Sequence, residues 1–91
     1  MTFLESALKI IVAGRSDQSV LNMYVVYENP RDFPGEYIVR RHIVTMNGDL
    51  PTEQGWRTQS LESARLPLQK AGLMMFTRHE NDDPVIKEVW L

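Results

Sequence analysis

The stretch Asn22-Met-Tyr-Val-Val-Tyr-Glu-Asn-Pro-Arg-Asp-Phe-Pro-Gly-Glu-Tyr-Ile-Val-Arg-Arg-His-Ile-Val-Thr45 decides the fold. In its first part, Asn22 to Glu28, the apolar residues Met23 to Tyr27 occupy both parities. That predicts a strand covered on two sides and central in its sheet. Two prolines and a glycine between Asn29 and Gly35 predict a loop. From Glu36 to Thr45 the chain alternates: Tyr37, Val39 and Ile43 share one parity with Arg41, and Ile38 and Val44 share the other with Arg40 and His42. Two strands joined across this short loop predict an antiparallel hairpin.

Upstream, Thr2 to Gly14 reads as a helix. Thr2 and Glu5 have capping-box spacing, Leu4, Ala7, Leu8 and Ile11 form an apolar stripe broadened by Phe3 and Ile10, and Gly14 is placed to stop the helix. Downstream, Asn47-Gly48 signals a tight turn. Pro51 and Gly55 leave room only for a short strand near Gln54 to Thr58. Ser60 caps a second helix with Leu61, Ala64 and Leu68 inward, and Pro67 predicts an end or kink near Leu66. Gly72 to Arg78 predicts a strand, with Leu73, Met74, Met75 and Phe76 apolar on both faces. His79 to Asp83 is a polar turn before Pro84. In the final strand, Val85 to Leu91, Ile86, Glu88 and Trp90 share one side.

The expected class is therefore α+β, in the order α-β-β-(β)-α-β-β. A small antiparallel sheet of four strands, or five with the 54–58 segment, carries one short helix and the N-terminal amphipathic helix. A chain of 91 residues with 43% hydrophobic and 24% charged residues accommodates one core, not two. Without cysteine, disulfide and thiolate chemistry are excluded. No apolar run approaches the roughly 20 residues that span a bilayer, and Glu5 and Lys9 interrupt any signal-peptide pattern. The expected location is the cytoplasm, with no membrane partner. A net charge of −2 carries no basic footprint for general nucleic-acid binding.

Tyr24-Val-Val-Tyr27, Pro30-Arg-Asp-Phe-Pro34, Tyr37 to Val44 with its arginines, and the ending Asp82-Asp-Pro-Val-Ile-Lys-Glu-Val-Trp-Leu91 together resemble a group of short bacterial and bacteriophage proteins with no assigned activity. The likeness covers residues 23–91 and implies a prokaryotic or phage setting. Members of that group begin near the position of Met23. Residues 1–22 therefore stand apart as a helical extension, dispensable to a domain formed by 23–91.

Four groups of residues are candidates for chemistry. The loop Pro30-Arg31-Asp32-Phe33-Pro34 has a stiff backbone, which reduces the entropy lost on gripping a partner. Its bland reading is a rigid turn in which Phe33 plugs the core and Arg31 pairs with Asp32 or Glu36. Arg40 and Arg41 are adjacent in a strand and point to opposite faces. One of them offers a guanidinium fork to a carboxylate or phosphate, or pairs internally with Asp82, Asp83 or Glu88. His79 to Asp83 collects oxygen and imidazole groups but lacks the spacing of calcium or zinc sites, so no metal is expected. The serines, Ser60 and Ser63 among them, stand in no nucleophile elbow, and no phosphate loop occurs. Met74-Met75 reads as core packing.

These readings rank a non-catalytic binding or regulatory module first, acting through a protein partner or a second copy of itself, with no cofactor. Its binding residues would come from Arg31, Asp32, Arg40, Arg41, Asp82 and Asp83. A hydrolase or small-ligand enzyme using His42 or His79 beside a carboxylate comes second. Nucleic-acid binding through Arg31, Arg40, Arg41 and Arg57 with Tyr37 and Trp56 comes third.

Overall fold

The computed structural model describes residues 2–16, 19–77 and 86–91. Two helices and five strands follow in the order α1 (Phe3–Arg15), β1 (Leu21–Glu28), β2 (Tyr37–Thr45), β3 (Gly48–Thr58), α2 (Leu61–Lys70), β4 (Met75–Thr77) and β5 (Ile86–Trp90). The strands form one antiparallel sheet in the order β3-β2-β1-β5-β4. The α+β class and the central place of β1 follow the sequence pattern.

One face of the sheet carries both helices. Tyr24, Val26, Val39, Trp56 and Trp90 project from it and pack with Ala7 and Ile11 of α1 and with Ala64 and Leu68 of α2. Strand register explains the set: Val26 lies opposite Val39, Val39 opposite Trp56, and Tyr24 opposite Trp90. Arg65 and Glu88 form an ion pair at the border of this core, and the Trp90 indole donates to the same carboxylate at 3.1 Å. No described helix packs on the opposite face.

Local chemistry sets the helix starts. The Thr2 hydroxyl accepts from the Glu5 amide, and the Ser60 hydroxyl from the Ser63 amide. Ser60 also donates to the Ser63 hydroxyl, so this pair of serines is engaged in a cap.

Several expectations give way to packing. Ala7 and Ile11 of α1 lie in the same core as the strands. Gly14 does not stop α1; it lies within the helix, and Ser16 caps the end. A Cβ at Gly14 would come 2.8 Å from Arg41 Nε and 3.1 Å from the Tyr24 hydroxyl, so the glycine makes room for two side chains beneath it. Pro67 lies inside α2 and is buried; a lost hydrogen bond near the last turn is outweighed by a ring in the core. The third strand is long, not short. It is an edge strand, where proline is tolerated, and a register shift between Arg40 and His42 accommodates the extra residues of β3. Thr52 secures this bulge by donating to the Arg41 carbonyl at 2.7 Å. Gly55 is needed there, because a Cβ would stand 2.1 Å from the Val39 carbonyl oxygen.

The largest correction concerns 72–78. The described strand is only Met75–Thr77 and forms a sheet edge, leaving Met74, Met75 and Phe76 exposed. Of the apolar residues expected inside, Leu73 packs against the core, and the other three are outside.

Candidate functional site

Residues of the open face come from alternate positions of the same strands that build the core. Arg40 follows Val39 and therefore emerges on the side away from the helices, opposite Val25. It is exposed, and no described group pairs with it. Beside it the connection from β1 to β2 folds back. Asn29 adopts a left-handed φ of 51°, its side chain accepts from the Gly35 amide at 2.6 Å, and its own amide donates to the Glu36 carbonyl at 2.8 Å. Within the loop, the Phe33 amide donates to the Pro30 carbonyl. The backbone is thus fixed by hydrogen bonds as well as by prolines.

Loop and strand together enclose a cleft of about 190 Å³ lined by Tyr27, Pro30, Asp32, Phe33, Ile38 and Arg40. Phe33 is half-buried and does not plug the core. The Arg57 guanidinium lies over its ring, 4.6 Å from the centroid, and also pairs with Glu36 at 3.3 Å. Arg57 is therefore the ion partner that Glu36 takes, in place of Arg31. The positively charged side of the cleft is Arg40 with Arg57 behind the aromatic ring, and Asp32 supplies the negative side.

A second arrangement borders the first. His42 is buried on the open face, with Nδ1 2.5 Å from Asp49 Oδ2 and Nε2 2.9 Å from the Tyr27 hydroxyl. With the Asp49 carboxylate accepting at Nδ1, a neutral imidazole presents Nε2 as acceptor to the Tyr27 O–H. The row Asp49–His42–Tyr27 thus ends at a wall of the cleft. Sequence reasoning weighed His42 but missed both partners. Part of the signal was available in the hairpin: Val44 has the parity of His42, and the turn, which falls at Met46-Asn47, one residue before the Asn47-Gly48 pair, sets Val44 opposite Asp49.

The remaining candidates separate. Arg41 lies on the helix-bearing face, where Nε donates to Asn22 Oδ1 and Nη1 to Gln54 Oε1, each at 2.6 Å. Its partners among the described residues are amides, and Glu88 belongs to Arg65. Arg31 is exposed on the loop, outside the cleft lining. Asp82, Asp83 and His79 lie outside the described residues. Among the described residues no cluster of three or more His, Asp or Glu could hold a metal ion, and no helix is long and apolar enough to cross a membrane. No family model, curated protein or solved structure matches the chain.

Proposed function

We propose that the protein is a small binding module that receives an anionic group of a partner protein in the cleft between the Pro30–Gly35 loop and β2. The observation that carries this reading is Arg40: an exposed guanidinium without a described partner, beside a proline-stiffened loop and an aromatic wall. Arginine suits the role because its planar fork donates two parallel hydrogen bonds to a carboxylate or phosphate. A pre-fixed loop loses little entropy on binding, and Phe33 and Ile38 supply apolar contact around the ion pair. Titration with an acetylated Asp-containing tripeptide and a phosphoserine tripeptide tests it by NMR. Saturable shifts at the Phe33, Ile38 and Arg40 amides are expected, and Arg40→Gln should abolish them. Undisturbed signals with both peptides would reject the reading.

The Asp49–His42–Tyr27 row favours one second reading, acid–base chemistry with the Tyr27 hydroxyl facing substrate and His42 holding its proton. Hydrolysis of a p-nitrophenyl ester that disappears in both His42→Gln and Tyr27→Phe would support it. Turnover unchanged in either variant would dismiss it.

A further inference from the structure

On the helix-bearing side, where α1 ends and β1 begins, lies a pocket of about 260 Å³, well away from the Pro30–Gly35 loop in the sequence. Arg15, Asn22 and Tyr24 form its polar side, and Leu21, Leu73 and Leu91 its apolar side. The wall at Leu91 is held in place, since its backbone amide and carbonyl exchange hydrogen bonds with Met74 at 3.0 Å each.

Tyr24 is only 2% exposed, and its hydroxyl is buried with no hydrogen-bond partner. A buried polar group left unsatisfied is costly and uncommon in native structures. Among the described residues, no carboxylate balances the nearby cations. Arg15 donates to the Ala71 carbonyl at 2.6 Å, and Arg41 donates to two amides. Neither guanidinium pairs with a carboxylate among the described residues, and each retains further N–H donors. Burial pushes the Tyr24 phenol up from its ordinary value, while the charges of Arg41 and Arg15 pull it back. Both cations therefore act at the position of the orphan oxygen.

The end of α1 contributes an opposing field, because a helix C-terminus carries about half a negative charge. Its carbonyls are largely occupied: the Val12 and Ala13 oxygens accept from the Ser16 amide, and Gly14 O accepts from Asn22 Nδ2 at 2.8 Å. Two full positive charges outweigh that partial negative one. The polar side thus suits a single anionic group, and the leucines suit a hydrocarbon body. The volume lies just below the roughly 300–1,000 Å³ of drug-sized sites, which restricts the ligand to a small one.

We propose that this pocket binds a short-chain monocarboxylate, with its carboxylate taken by Arg15 and the Tyr24 hydroxyl and its alkyl chain lying against Leu21, Leu73 and Leu91. The experiment is an NMR titration of the full chain with valerate, with neutral valeramide and inorganic phosphate as comparison ligands. Valerate should produce saturable shifts at Leu21, Asn22 and Leu73 and raise the melting temperature by linkage. Valeramide lacks the charge and phosphate lacks the chain, so both should bind at least tenfold more weakly. Tyr24→Phe should weaken valerate binding by about tenfold while raising the melting temperature of the free protein, because an unsatisfied hydroxyl is removed. A purely structural hydroxyl would not produce that opposite pair of effects. Arg15→Gln, an exposed substitution, should weaken valerate about tenfold with little change in folding. Absence of saturable shifts overturns the proposal, as does equal binding of valeramide or phosphate, or parental valerate affinity in both variants.

Discussion

The two faces of the sheet use the same strands for opposite purposes. On the helix-bearing face, Glu88 is 4% exposed yet fully engaged, receiving hydrogen bonds from Arg65 and Trp90. On the open face, one residue before the well-bonded Arg41, Arg40 has no described partner and meets solvent beside a stiff loop. A charge enters a core only with its partners, because desolvation otherwise exceeds any gain. On an uncovered surface the same side chain remains available. The burial of a strand residue thus separates structural arginines from those free to bind.

Removing the covering layer is the severest way to break this contrast. Deletion of residues 1–22 strips Ala7 and Ile11 from the core and should give a poorly dispersed amide spectrum in place of a folded one. A well-dispersed spectrum would show that α2 alone closes the face and that 1–22 is an extension after all. Next in size, Trp90→Ala should cost about 3–5 kcal/mol, as for other buried aromatics, read by urea denaturation. Gly55→Ala comes third, at about 1–3 kcal/mol or somewhat more, because its Cβ would meet backbone at β2, which cannot swing aside.

A smaller, pH-dependent effect sharpens the comparison. Burial alone would raise the Glu88 carboxyl. Hydrogen bonds from Arg65 and Trp90, with the charges of Arg65 and Lys87, more than offset this and leave it below the ordinary value. Its contribution is therefore fully present above the unfolded carboxylate pKa, about 4.3, and is lost as pH falls through the folded value. Melting temperatures across the acid range should show a shallower decline for Glu88→Gln than for the parent. The smallest effect belongs to the open face: Arg40→Ala should change stability by less than about 0.5 kcal/mol. A loss above about 2 kcal/mol would instead give Arg40 a structural partner and dissolve the contrast.

Elements with a local cause were legible beforehand. The caps at Thr2 and Ser60 and the parity of Tyr37 to Val44 depend on neighbours within a few residues, and each stands where the pattern put it. The turn falls at Met46-Asn47, one residue before the Asn47-Gly48 signal. The shared side of Glu88 and Trp90 was also readable, although a carboxylate between two apolar residues gave no sign of Arg65, 23 positions away. The register shift that sets Ile86 opposite Tyr27 was not readable. Met74, Met75 and Phe76 misled because an apolar run reads alike in a central strand and at an edge. Gly14 misled because a glycine near a helix end suggests a stop, whereas here it clears space for Arg41 and Tyr24.

For the candidate site, the stiffness of the Pro30–Pro34 loop and the opposite directions of Arg40 and Arg41 were contained in composition and period-two geometry. Which arginine met the helices was not, because it depends on the side of the sheet to which α1 and α2 return. The Asp49–His42–Tyr27 row needed the β2–β3 register, and the orphan hydroxyl of Tyr24 needed the descent of α1 onto β1. Alternation and capping act over a few residues and can be read along the chain. Partnership between buried polar groups is set by contacts between distant segments, and it exists only once the layers have packed.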